Sequence, residues 1–152
     1  MMKVSILSMS EVNNYVPEGK ASIIRIEDGG YTLEPLKYPY NNVLSMSFYD
    51  IEPKPYFPSN WNYFTKSEGL TLLNAFEVMQ GFDELVIHCH AGISRSPAIA
   101  LSYAWYSNDL ELENNILNGK YLPNAQVMRV MAKLLGLYED KKQMIESYSR
   151  LK

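Results

Sequence analysis

The sequence holds a single cysteine, Cys89, so no disulfide can form within the chain. A lone thiol survives best under reducing conditions, and the expectation is a cytoplasmic protein. Long apolar runs are missing too: nothing approaches the roughly 18 residues a membrane span needs. The opening Met1-Met2-Lys3-Val4-Ser5-Ile6-Leu7-Ser8 is too poor in apolar residues for a signal peptide. No basic excess is present. A net charge of −3 with a pI near 5.4 argues against a general nucleic-acid binder, which would show a basic stripe. Histidine is scarce: there are two, His88 and His90, on either side of Cys89. Adjacent residues seldom converge on one ion and no second cluster exists, so neither a metal nor another cofactor is expected. Repeats, linkers and low-complexity stretches are absent as well.

What is present fits one globular domain over 1–152. Its 152 residues, 47% hydrophobic and 20% charged, suffice for one real core and not for two. Strand patterns run over Val4–Leu7, Ala21–Ile26 (closed by the turn signal Asp28-Gly29-Gly30), Asn42–Tyr49 and Glu84–His88. The last carries Leu85, Val86 and Ile87 in succession, the mark of a strand covered on both faces. A short helix is expected over Ser8–Tyr15 with Ser8 or Ser10 as cap. A second opens at Thr65 or Ser67, runs through Met79 and ends at Gly81, with Leu70, Leu73 and Phe76, then Leu72 and Met79, toward the core. Between them Pro53, Pro55 and Pro58 forbid any helix. A nearly all-apolar helix opens at Ser96-Pro97. Three more follow over Leu110–Leu117, Ala125–Leu135 (capped by Asn124, ending at Gly136) and about Glu139–Leu151. Strands alternating with helices give an α/β fold: a small, mostly parallel sheet flanked by helices on both faces. Ligands bind such sheets beyond the carboxyl ends of the strands.

The most informative stretch lies at such an end: Val86-Ile87-His88-Cys89-His90-Ala91-Gly92-Ile93-Ser94-Arg95-Ser96-Pro97-Ala98. A loop closing from Cys89 to Arg95 turns successive backbone N–H groups inward and makes an anion-sized cradle. The following helix adds the positive end of its dipole. Arg95 adds a planar fork able to hold two phosphate oxygens. Positive surroundings favour the thiolate, the form that attacks. A buried structural cysteine would leave Arg95 and Gly92 unexplained.

His88-Cys89, five intervening residues and then Arg95-Ser96 resembles the signature of the cysteine-dependent protein tyrosine phosphatase superfamily. Ala91-Gly92 with Ser94-Arg95-Ser96 looks most like the dual-specificity branch. The resemblance implies a small parallel-dominated sheet followed by a helix cluster, and hydrolysis of phosphomonoesters through a cysteinyl-phosphate. Cys89 would attack phosphorus. Arg95 and the N–H groups of His90, Ala91, Gly92, Ile93 and Ser94 through Ser96 would hold the equatorial oxygens. Gly92 would allow a positive φ or a close backbone approach. Ser96 stands where the family places a hydroxyl that bonds the cysteine sulfur; it also reads as a helix cap, and the roles are compatible. His88 matches the histidine before the cysteine, a residue that keeps the loop rigid; alternation on a strand directs it away from the substrate. His90 would line the rim.

Expelling the alcohol needs an acid. Asp83 begins the strand that ends at Cys89 and so lies at the wrong end; Asp28 belongs to a Gly-Gly turn; Asp109 and Asp140 sit after the central helix and in the polar tail. Asp50 ends a strand and starts the proline-stiffened loop, and its context Ser45-Met46-Ser47-Phe48-Tyr49-Asp50-Ile51 resembles the general-acid loop of the family. Glu52 is its rival. Asn124, after Leu122-Pro123, matches a Pro-Asn pair that frames the site in dual-specificity relatives, and equally reads as a plain helix cap. Arg129 stays unassigned. Tyr38, Tyr40, Tyr56 and Trp61 flank the acid loop as candidate pocket walls. No lysine stands in the cysteine loop, whereas relatives acting on inositol lipids tend to carry them there, and the acidic balance disfavours an RNA 5′-phosphate. The expected partner is a phosphorylated protein bearing phosphotyrosine, with phosphoserine and phosphothreonine as extensions; nucleic acid and membrane are not expected. A non-protein phosphate, or phosphate binding without turnover, are the alternatives. Oligomeric state is not legible.

Overall fold

The structure is a computed structural model that describes residues 2–29 and 33–151. Gly30, half of the expected Gly-Gly turn, lies outside the described residues, as do Met1, Tyr31, Thr32 and Lys152. The elements in order are β1 (Lys3–Leu7), α1 (Met9–Val12), β2 (Ala21–Glu27), β3 (Asn42–Ser47), α2 (Lys66–Val78), β4 (Glu84–His88), α3 (Arg95–Ser107), α4 (Leu110–Leu117), α5 (Ala125–Leu134) and α6 (Tyr138–Arg150).

The strands form one sheet in the order β1-β4-β2-β3, every pair parallel. All carboxyl ends therefore open on the same edge. β4 sits inside, and its five residues are all buried, as its unbroken apolar run requires. Alternation divides them. Leu85 and Ile87, with Ile24 and Ile26 of β2, face a core closed by α2 to α6. Val86 and Ile23 face the other way, under Val12 of α1 and the side chains of Tyr15, Leu36 and Tyr40. Helices thus flank both faces, but unequally: one side carries five and the other the single turn of α1.

α3 threads the centre of the large core, buried from Arg95 to Trp105. Gly69 of α2 lets α5 come close, since a Cβ there would stand 2.5 Å from Leu134 Cδ1. Among the described residues no helix is long and apolar enough to cross a membrane.

Several boundaries differ from the sequence expectations. β3 stops at Ser47, because Tyr49 N–H leaves the sheet and donates to Asn62 O at 2.8 Å. α1 is only one turn long, with Ser8 as its cap. α2 ends before Gly81, which supplies a left-handed turn at φ +82° after the helix is over. Leu70 is exposed, because Leu72, Phe76 and Met79 define the buried stripe and a position two residues from Leu72 lies across the helix. α3 starts at Arg95, one residue early, with Ser94 as its cap and Ser96 inside the helix.

Candidate active site

Beyond the carboxyl ends of the strands lies a cavity of about 380 Å³. The loop after β4 forms its base, with Cys89, His90, Ala91, Ile93, Ser94 and Arg95 in its lining; Asp28, Asp50 and Leu122 complete the wall. Cys89 is 2% exposed, and its Sγ lies 3.1 Å from Ser96 Oγ and accepts the Gly92 N–H at 3.2 Å. Ser96 is fully buried one turn-position into α3, so its hydroxyl faces sulfur and does not cap the helix.

Gly92 has no substitute here. Its φ is +71°, and a Cβ would stand 2.9–3.0 Å from backbone atoms of Leu7 and Ser8. The loop is pinned on both sides: Met9 N–H donates to His90 O at 3.1 Å, while Leu122 and Asn124 N–H donate to Ile93 O and Ser94 O at 2.9 and 3.0 Å. Those bonds bring Leu122 to the cavity, a lining residue that no pattern in the sequence marks.

Arg95 is 5% exposed. Its Nη1 donates to Phe48 O at 2.8 Å and pairs with the Asp28 carboxylate. The Asp28-Gly29-Gly30 signal in the sequence reads as a turn. It stands directly after β2, so in a parallel sheet it emerges on the same edge as Cys89, and the argument applied to Asp50 holds equally for it.

Asp50 also reaches the cavity. Its Oδ1 accepts from Ser94 Oγ at 2.7 Å and from Asn124 Nδ2 at 2.8 Å. Asn124 does two things at once, because its Oδ1 accepts the Val127 N–H at 2.9 Å and so caps α5. Glu52 turns away: it takes Ser149 Oγ at 2.8 Å and Arg129 Nη2 at 3.2 Å, and Arg129 also binds Glu146. That network ties the proline-stiffened loop to α5 and α6.

The expected aromatic walls are elsewhere. Trp61 packs on Tyr49 and Phe57 at 5.9 and 5.1 Å between centroids, and Tyr56 packs on Phe57. Tyr40 belongs to the far face of the sheet, where burial pushes its hydroxyl up to about 12. The aromatic side chains cluster with one another and with the core, leaving Leu122, Ile93 and Ala91 as the apolar surface of the cavity.

His88 points away from the cavity, on the face of Val86. It is fully buried, and its Nε2 accepts the Arg25 Nε–H at 3.0 Å. Burial, then the Arg25 charge, lower its pKa to about 4, against a small opposing effect of the Cys89 backbone; the imidazole is neutral at physiological pH. Among the described residues no group of His, Cys, Asp and Glu is arranged to hold a metal ion.

No protein-family model matches the chain, and comparison with curated protein sequences gives no match. Solved structures do match. Human DUSP28 is 13% identical over 91% of this chain and 94% of its own, with a TM-score of 0.57. OH1 from the Orf virus, described as a tyrosine phosphatase with triple substrate specificity, is 15% identical over 89% and 83%, also at 0.57. The human tyrosine phosphatase-like serine/threonine/tyrosine-interacting protein is 18% identical over 80% of each chain at 0.53. At such identities the likeness is one of architecture. The chain has the fold of the dual-specificity and tyrosine phosphatases.

Proposed function

We propose that the chain is a cysteine-dependent phosphomonoester hydrolase acting on phosphotyrosine-bearing proteins in the cytoplasm. One observation carries the reading: Cys89 Sγ, the Ser96 hydroxyl, Arg95 and the Asp50 carboxylate all serve a single 380 Å³ cavity. In the first step Cys89 Sγ attacks phosphorus in line, the P–O bond to the leaving group breaks, and Asp50 gives that oxygen its proton. Ser94 and Asn124 both donate to Asp50 Oδ1, so the transferable proton belongs on Oδ2. The loop N–H groups and Arg95 hold the three equatorial oxygens as charge spreads over them. In the second step water attacks the cysteinyl-phosphate, Asp50 takes its proton, and sulfur departs as thiolate with the Ser96 hydroxyl donating to it. Asp28 holds one end of the Arg95 fork and leaves the other for phosphate.

Substrate choice rests on the cavity lining. None of its residues is lysine, and two are aspartates, which supports a phosphomonoester over a polyphosphorylated inositol or an RNA 5′-triphosphate. The test is turnover of a phosphotyrosine peptide, a phosphothreonine peptide, an inositol phosphate and an RNA 5′-triphosphate side by side, with acid trapping of phosphocysteine. Release of phosphate from the phosphotyrosine peptide, with label on Cys89, is the expected result. Preference for either non-protein substrate would overturn the substrate; binding of all four without turnover would overturn the activity.

A further inference from the structure

We propose that Arg25 is a positioning residue for Cys89: across the sheet it fixes His88 as the Nδ1–H tautomer and sets a permanent cation behind the nucleophile loop. The inference rests on the reading of Cys89 as the nucleophile. Arg25 and His88 are direct partners in the parallel register of β2 and β4. The row on this face of β2 runs Ala21, Ile23, Arg25, and it changes from apolar to charged at the level of His88. Arg25 is 7% exposed, and no ion pair is found for it among the described residues. A buried guanidinium without a carboxylate against it is costly, and an apolar residue such as Ile23 would fill the space more cheaply. Among the described residues its one side-chain bond is the one to His88 Nε2.

That bond has a fixed sense. A guanidinium carries donors only and does not deprotonate in proteins. Nε2 must therefore present its lone pair, and the imidazole proton sits on Nδ1, which is buried and meets no partner among the described residues. A second proton on Nε2 would face the Arg25 N–H head-on. The other ionisable groups on this face are Glu27 and Tyr40 near Arg25, then Tyr15 and Glu84 at the far end of the strand. They act on Arg25 and on Tyr40, while Arg25 acts on His88. His88 stays a rigid neutral prop immediately before Cys89, and the charge that bears on it, that of Arg25, is positive. Such a charge favours the thiolate.

The composition makes this unusually easy to read. There are two histidines and one cysteine, so ring nitrogen spectra show two side chains, and every alkylation event reports Cys89. The experiment compares wild type, Arg25→Met and Arg25→Lys by long-range ¹H–¹⁵N correlation across pH, with His90→Gln for assignment, and by the pH dependence of iodoacetamide alkylation. Wild-type His88 is expected as the Nδ1–H tautomer and uncharged down to pH about 5. In Arg25→Met the tautomers mix, His88 becomes chargeable above that pH, and the alkylation midpoint rises by about one pH unit. Arg25→Lys, a shorter donor-only cation, recovers part of both. A folded Arg25→Met with tautomer, titration and alkylation midpoint unchanged would overturn the proposal. Should that variant not fold, the wild-type spectrum decides: an Nε2–H tautomer, or a ring that charges above pH 5.5, overturns it equally. Neither readout needs turnover, so an inactive wild type would sink the hydrolase reading while the coupling from Arg25 through His88 to the Cys89 thiol would still be measured.

Discussion

Glu84 and His88 stand on one face of one strand, at its two ends, and the structure treats them oppositely. Glu84, fully buried, is closed off: its carboxylate accepts from Tyr15 Oη and Ser5 Oγ and takes the Glu18 N–H at 2.8 Å. Asp83 beside it holds the Lys20 N–H at 2.8 Å. At the other end His88 has, among the described residues, one side-chain partner and an Nδ1 without one, and beyond it Cys89, Arg95, Asp28 and Asp50 surround a cavity. The amino ends of the strands are joined to one another by polar groups that satisfy each other. The carboxyl ends instead gather Cys89, Arg95, Asp28 and Asp50 around a cavity with room for a ligand. Groups closed into the fold contribute stability and groups lining a cavity are placed for chemistry, so substitutions at the two ends should separate the two properties.

The largest separation is expected at Cys89. Cys89→Ser should abolish turnover, by about 10⁴-fold or more, since a nucleophile lost from a covalent mechanism costs on that order. Binding of phosphate or vanadate should persist, because the cradle is backbone and Arg95, and the unfolding midpoint should barely move. Arg95→Lys should fare nearly as badly in turnover, for an ammonium cannot serve Asp28, Phe48 O and an oxyanion with one fork. Phosphate release from an aryl phosphate and calorimetry with vanadate check both. A Ser variant with several per cent of wild-type activity would remove Cys89 from the mechanism.

Next comes the acid. Asp50→Asn should slow hydrolysis of poor leaving groups by about 10²–10⁴-fold, the usual contribution of general acid catalysis. Highly activated aryl phosphates leave without a proton and should be affected much less, and the basic limb of the rate profile should flatten. Glu52→Gln is the control: its partners are Arg129 and Ser149, so its cost should fall on stability and its rates should stay within about twofold of wild type. Flattening by the Gln variant in place of the Asn variant would move the acid by two residues.

Much of this was legible beforehand, and the failures have a shared cause. β4 was readable to the residue, because an unbroken apolar run admits one interpretation. The place of the cysteine loop, between a buried strand and a helix, was readable because its signals are local in sequence. Asp28 was not: Asp-Gly-Gly is a strong turn signal, and it masked the fact that every strand-terminal acid of a parallel sheet reaches the same edge. Arg25 was missed for a similar reason, since strand register, which no single segment encodes, is what sets it opposite His88. The aromatic walls failed because Trp61 and Phe57 found each other first. Glu52 and Asp50 could not be told apart until Arg129 and Asn124, more than seventy residues on, claimed one each.

At the amino end the expected effect is on folding alone. Glu84→Ala strips the acceptor from Ser5, Tyr15 and the Glu18 N–H, and leaving several buried donors unmade should cost about 3 kcal/mol. Turnover per folded molecule should be unchanged, and Glu84→Gln, which keeps one acceptor oxygen, should recover part of the loss. Urea unfolding beside aryl phosphate turnover measures both. A fall in turnover matching that of the acid-loop variant would break the division between the two ends.

The smallest effect tests His88 through the proton. Its folded pKa lies near 4, below the ordinary value of 6.5. The unfolded chain therefore binds a proton between those limits that the folded protein refuses, and stability rises with pH across the window. The full contribution is present above pH 6.5 and is lost progressively as pH falls toward 4. Between pH 7 and pH 5 this one group should lower the unfolding free energy by about 2 kcal/mol, at 1.36 kcal/mol per pH unit of difference. A carboxylate ordinarily titrates below that range, so the slope from pH 7 to 5.5 is chiefly that of histidine. His88→Gln should flatten it. A wild-type protein equally stable at pH 7 and pH 5 would mean that His88 can charge inside the fold, and with it the neutral prop behind Cys89 would be gone.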